Sequence, residues 1–98
     1  MGDGLVASLR KLVRRFLLDP PEVEFSDVQR LLRAFGFSHR RGKGSHHFFW
    51  RGDLRISVPT VHGRKVKRTY ARRLVRLLKL EDWDEAQEEI GLDAREGP

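Results

Sequence analysis

His46-His47-Phe48-Phe49-Trp50-Arg51-Gly52-Asp53-Leu54-Arg55-Ile56-Ser57-Val58 is the stretch that decides the architecture. Its second half alternates, with Leu54, Ile56 and Val58 on one side and Arg55 and Ser57 on the other. A period of two marks a strand with one buried and one wet face. Arg51-Gly52-Asp53 supplies a tight turn, so residues 46–50 and 54–58 read as a hairpin. The triplet also spells an adhesion motif, but between two strands the turn is the simpler reading. In the first half of the hairpin both parities carry aromatics. Phe48 and Trp50 share a side with His46, and Phe49 shares one with His47.

Working outward, Phe37–Arg41 reads as a third, weakly patterned strand. Before it, Val28, Leu31, Leu32 and Phe35 recur at helical spacing over 26–35. Ser26 is the expected N-cap, Gln29 completes a capping box, and Gly36 ends the helix. Further upstream, Leu5, Leu9, Leu12, Val13, Phe16 and Leu17 form one face of a helix over 5–18. Arg10, Lys11, Arg14 and Arg15 take its other face, and Asp19-Pro20-Pro21 stops it. Downstream, Pro59 ends the third hairpin-side strand. A loop with His62 and Gly63 leads to a helix over 67–79. Tyr70, Leu74, Leu77 and Leu78 are its apolar face, and Arg72, Arg76 and Lys79 make a positive stripe. A short acidic helix over 82–90 closes the chain, with Trp83 and Ile90 packed on the core. The core order is α-β-β-β-α, with one helix added at each end. Phe48 and Trp50 are expected to be buried under the added N-terminal helix.

Ninety-eight residues, 39% of them apolar and 35% charged, fit one domain with a modest core. The absence of cysteine excludes a disulfide scaffold, a cysteine-ligated metal and a thiol nucleophile. No apolar run approaches the ~20 residues that span a bilayer. Met1-Gly2-Asp3-Gly4 opens no signal-peptide pattern, so a soluble cytoplasmic protein is expected. The charge is unevenly spread. Residues 26–80 hold fifteen Lys and Arg against two acids, a net of +13. Residues 81–98 hold one Arg against eight acids, a net of −7. A middle segment this basic favours a polyanionic partner, most simply nucleic acid. An exposed aromatic on strand 46–50 would then stack an RNA base or meet a partner.

The chemistry concentrates in Arg40-Arg41-Gly42-Lys43-Gly44-Ser45-His46-His47. A phosphate-cradling P-loop does not fit, because Gly36 and Gly42 are separated by five residues and the loop opens a strand. A metal site built from His39, His46, His47 and His62 fits poorly. Neighbouring strand residues point to opposite faces, so His46 and His47 do not chelate one ion. Acid–base work on RNA fits better. The glycines allow close approach of a phosphate, and Arg40, Arg41 and Lys43 can hold it. A histidine at the strand start, kept neutral by surrounding cations, can take a proton from a ribose 2′-hydroxyl. The same residues serve equally a histidine packed on the sheet beside solvated cations.

Phe35-Gly36-Phe37, Lys43-Gly44-Ser45-His46-His47, Ser57-Val58-Pro59, His62-Gly63 and Val66-Lys67 together resemble the HicA toxins, small RNA-cleaving members of toxin–antitoxin pairs. The resemblance covers about residues 24–80. It implies an α+β fold of double-stranded-RNA-binding-domain type, αβββα on a three-stranded antiparallel sheet. It implies a metal-independent mRNA endonuclease with no cofactor, whose essential residue is the histidine of the Gly-Ser-His motif, here His46. It also implies a HicB antitoxin as partner. The helix over 5–20 and the acidic end over 81–98 are additions to the compact pattern. The loop at Pro59-Thr60-Val61-His62 is one residue longer.

On this reading RNA is held by Arg40, Arg41, Lys43, Gly44, Ser45, Arg72 and Arg76, with His46 as the catalytic residue of a monomer. The main rival is a module of the same fold that binds RNA and cuts nothing. A second is a DNA-binding or protein-interaction domain using the basic helix. The acidic tail could also fold onto the positive surface and compete with RNA; a solvated closing helix is the simpler expectation.

Overall fold

A computed structural model describes the backbone of residues 2–96 and the side chains of residues 6–90. The place of Leu5 on the first apolar face, and the side chains of Asp93 and Glu96, lie outside the described residues. The elements are α1 (Gly2–Leu17), β1 (Glu22–Glu24), α2 (Phe25–Ala34), β2 (Ser38–Arg41), β3 (His46–Arg51), β4 (Leu54–Pro59), β5 (Lys65–Lys67), α3 (Arg68–Leu77) and α4 (Leu80–Glu96).

Strands β2, β3 and β4 form an antiparallel sheet in that order, with α2 before it and α3 after it. This is the expected αβββα core of double-stranded-RNA-binding type. His47 pairs with Arg41 and Val58, and Phe49 pairs with His39 and Ile56. Gly52 opens the β3–β4 turn with φ 58°, the left-handed backbone that a two-residue hairpin turn asks of its glycine. Phe49, Ile56 and Val58 share one buried core with Leu31 and Leu32 of α2 and Leu74 of α3, so the helices cover one side of the sheet.

A second, two-stranded sheet was not expected from the sequence. β1 and β5 pair in antiparallel register, Glu22 with Lys67, Val23 with Val66 and Glu24 with Lys65. Val23 and Val66 are buried, while Lys65 bridges Glu24. This ribbon changes how α2 begins. The helix starts at Phe25, whose N–H donates to the Arg64 carbonyl at 2.7 Å, and the capping residue is Glu24, without a side-chain cap. The expected capping box is therefore absent. Ser26 is exposed inside the first turn, and Gln29 reaches His39 instead. Asp27, buried in the same turn, accepts from Arg15 at 2.8 Å and lies 3.5 Å from Arg30.

The C-terminus of α2 follows expectation. Gly36 takes φ 88°, the Phe37 N–H donates to the Leu32 carbonyl at 2.9 Å, and the Gly36 N–H donates to Arg33 at 3.0 Å. That is a Schellman cap, which requires glycine at the left-handed position. The second core helix, α3, is shorter than expected, because Lys79 adopts φ 50° and a new helix starts at Leu80.

The two added helices meet. α1 buries Leu12, Val13 and Phe16 against the helical layer, and Asp84 of α4 receives Arg10 and Arg14, each at 3.3 Å. Trp83 packs edge-on against Phe35 as expected, with centroids 5.9 Å apart. Ile90 does not pack, since 60% of it is exposed. The larger correction concerns the sheet. α1 lies on the helices and leaves the opposite side of the sheet bare, so Phe48 and Trp50 are 45% and 38% exposed rather than buried.

Candidate functional site

The loop between β2 and β3 is Gly42-Lys43-Gly44-Ser45. Gly44 takes φ 62°, which a glycine meets without strain. The Gly42 N–H donates to the His46 carbonyl at 2.9 Å, and the His46 N–H donates to the Lys43 carbonyl at 3.3 Å. Buried Thr60 pins the loop from the far end of β4. Its backbone N–H and its hydroxyl both donate to the Ser45 carbonyl, at 2.9 and 3.3 Å. The basic turn is thus a braced platform rather than a free loop.

The two histidines that follow go opposite ways. His46 is exposed on the bare side of the sheet, in line with Phe48 and Trp50. His47 turns toward the helices and is half-buried. Its ring packs on Phe25 with centroids 4.1 Å apart and the planes tilted by 35°, and its Nδ1 lies 2.9 Å from Nε2 of His39. His39 in turn stacks on Phe49 at 4.6 Å, and its Nδ1 lies 3.4 Å from the Gln29 amide. Burial lowers the pKa of both rings. For His47 the charges of His39 and Arg41 push the same way, and for His39 the charge of Arg33 does. Both histidines are therefore neutral at pH 7.

Neutral rings in this chain share one proton across the 2.9 Å contact. If His39 donates it, Nε2 of His47 carries a proton and is a hydrogen-bond donor. If His47 donates it, Nε2 is a free acceptor and can act as a base. The Gln29 amide biases the choice. Its NH2 group facing His39 Nδ1 makes His39 the donor, and its carbonyl in that place makes His39 the acceptor.

Arg41, Gly44, Ser45, His47, Thr60 and Gly63 line an open cleft of about 490 Å³ floored by Phe25. Of the residues expected at the site, Arg41, Gly44 and Ser45 are brought together here. Lys43 stands exposed in the loop. Arg40 lies on the bare face opposite Phe48, with His46 on the same face. Arg72 and Arg76 border a different groove with Asp19 and Glu81. Arg72 is already committed there, donating twice to the Asp19 carboxylate at 2.7 and 2.6 Å. These hydrogen bonds hold Asp19 below the usual carboxylate range and raise the Arg72 guanidinium.

His39, Phe25, Gln29 and Thr60 escaped the sequence reading as members of one site. The available signal was the register. A four-residue loop after Arg41 sets His39 across from Phe49, diagonal to His47 on the same face. His39 and His47 have no third His, Asp or Glu grouped with them for a metal ion among the described residues. No helix among the described residues is long and apolar enough to cross a membrane.

No curated protein and no solved structure matches the chain. The family model described as HicA toxin of bacterial toxin-antitoxin matches residues 25–81. That span runs from the first residue of α2 to the first turn of α4 and holds the braced loop, both histidine faces and the cleft. It covers more than half of the chain and leaves out α1 and most of α4. The chain belongs to the HicA toxin family of toxin–antitoxin systems, and an antitoxin is the class of partner that membership implies.

Proposed function

We propose that the chain is a metal-independent endoribonuclease of the cytoplasm that cuts mRNA and is held in check by a HicB-type antitoxin. The observation that carries this reading is the braced, basic loop with a histidine on each side of the strand it opens, inside the span that matches the family. The chemistry needs few parts. A neutral imidazole takes the proton of a ribose 2′-hydroxyl, and the freed oxygen attacks the adjacent phosphorus. The bond to the 5′-oxygen breaks, that oxygen takes up a proton from water, and a 2′,3′-cyclic phosphate remains. Cations beside the phosphate stabilise the charge that develops on it. His46 is the proposed base. Lys43 and Arg40 reach the phosphate from the loop and from β2, and Gly44 and Ser45 let it approach. Arg41 grips the backbone from the cleft, and Arg72 and Arg76 are remote contacts to it, Arg72 exchanging Asp19 for a phosphate.

A second assignment of the base has its own support. His47, not His46, lines the cleft with Arg41, Gly44 and Ser45, and His39 backs it at 2.9 Å. Cleavage of a labelled RNA in EDTA by the chain, by His46→Ala and by His47→Ala decides between them. Loss of cleavage in His46→Ala alone, with RNA binding kept, supports the first assignment. Loss in His47→Ala alone moves the role to the dyad. Binding without cleavage in all three returns the chain to a non-catalytic RNA-binding module of the same fold.

A further inference from the structure

Beyond His46 and Arg40, the bare side of the sheet carries residues that the proposed chemistry does not use. Its positions are Ser38, Arg40 and Gly42 on the β2 side, Trp50, Phe48 and His46 on β3, and Arg55, Ser57 and Pro59 on β4. The grid contains two arginines, two exposed aromatics and no carboxylate. Arg40 pairs across from Phe48, and Arg55 pairs across from Trp50. A shallow trough of about 630 Å³ runs over Arg40, Phe48, Trp50, Arg55 and Ser57. At one end of it Gly42 lets the Phe48 ring lie against the β2 backbone, since a Cβ there would run into that ring.

We infer that this face is a binding platform for single-stranded RNA, with bases stacked on Phe48 and Trp50 and the backbone held by Arg40 and Arg55. The inference deepens the proposed function and rests on its reading of the chain as a protein that acts on RNA. Three observations select this occupant. The only formal charges among these positions are the two arginines, which suits a polyanion better than a protein surface of mixed sign. Each aromatic is flanked by a guanidinium, the combination that grips a base and its phosphate together. Finally, alternate residues of a strand stand about 6.8 Å apart, twice the 3.4 Å per nucleotide of a duplex strand, so bases seated on both rings must be unstacked from each other. A duplex, whose bases are paired and stacked, presents no such faces. The strand that carries the two rings also carries His46 two residues before Phe48. A chain laid along it would bring a phosphate to the exposed imidazole.

Trp50 is its own reporter. The chain has two tryptophans, and Trp83→Phe leaves Trp50 alone. The probe is a short 2′-O-methyl oligouridylate, which lacks the hydroxyl the cleavage needs, beside a 2′-O-methyl duplex of matched charge. The expected result is saturable quenching of Trp50 emission by the single strand and little by the duplex. In the chain that keeps Trp83, Trp50→Leu and Phe48→Leu should each weaken the anisotropy-measured Kd about tenfold. Gly42→Ala, which displaces the Phe48 ring, should weaken it too. Binding with Trp50 emission unmoved, an equal response to the duplex, or no binding overturns the inference. So does a Trp50 already shielded in a dimer by sedimentation and acrylamide quenching, which would give the face to a second copy. Cleavage of the unmodified strand is scored separately. If it fails while the Trp50 response stands, the proposed activity falls and the platform remains.

Discussion

The two faces of β3 are built from the same few residue types and do opposite things. On the inner face, Phe49 is 1% exposed, and His47 is locked between Phe25 and His39. On the outer face, Phe48, Trp50 and His46 stand in solvent. Hydrophobicity does not separate the faces, because each carries phenylalanine and histidine. What separates them is the position of α1, which joins the helical layer instead of capping the sheet. An aromatic strand therefore contributes one face to stability and leaves the other exposed.

The sharpest way to break that contrast is to truncate each face in turn. Phe49→Ala should cost about 3–5 kcal/mol in urea unfolding, because it opens a cavity in the core. Phe48→Ala, one residue away, should change stability by about 0.5 kcal/mol or less. Similar losses at both positions would mean that the outer face is covered in solution. Gly36→Ala comes next. It forces a Cβ onto a backbone at φ 88° and sets it 3.4 Å from the Arg51 side chain, so it should cost about 1–2 kcal/mol.

The inner histidines offer a test by pH. Their folded pKa values lie below the unfolded one near 6.5, so the unfolded chain takes up protons first as the pH falls. Stability should hold above about pH 6.5 and decline below it, before the carboxylates of Asp19 and Glu24 titrate in more acid solution. A thermal-melt series should show the upper part of this decline vanish in His39→Phe/His47→Leu and persist in His46→Ala. The smallest effect belongs to Ser26→Ala. As a true N-cap it would lose about 1 kcal/mol; exposed within the first turn, it should lose about 0.3 kcal/mol or less.

The sequence disclosed the sheet and the helices around it because their signals are local. Leu54, Ile56 and Val58 alternate, Val28, Leu31 and Leu32 recur at helical spacing, and Gly36 marks a C-cap. The β1–β5 ribbon stayed hidden because each strand is three residues long and the partners are about forty residues apart. Without it, Ser26 is the natural cap for α2; with it, the Arg64 carbonyl takes the Phe25 N–H and moves the helix start. The loop residues of the site were legible, since glycine, lysine and serine in that order need little context. Their grouping was not. Arg40 and Arg41 are neighbours in sequence and sit on opposite faces, and Arg72 had a carboxylate waiting across the fold.

The clasp of Arg10 and Arg14 on Asp84 has a consequence for how this chain could be shortened or nicked. α1 and most of α4 lie outside the family span, and each closes over the other. A protease cut in α4 would release more than an acidic tail. It would remove the carboxylate that Arg10 and Arg14 share and take away one of the helices α1 rests on, while α2 and α3 remain beneath it. The two extensions therefore brace one another, and losing one strips the other of its charge partners.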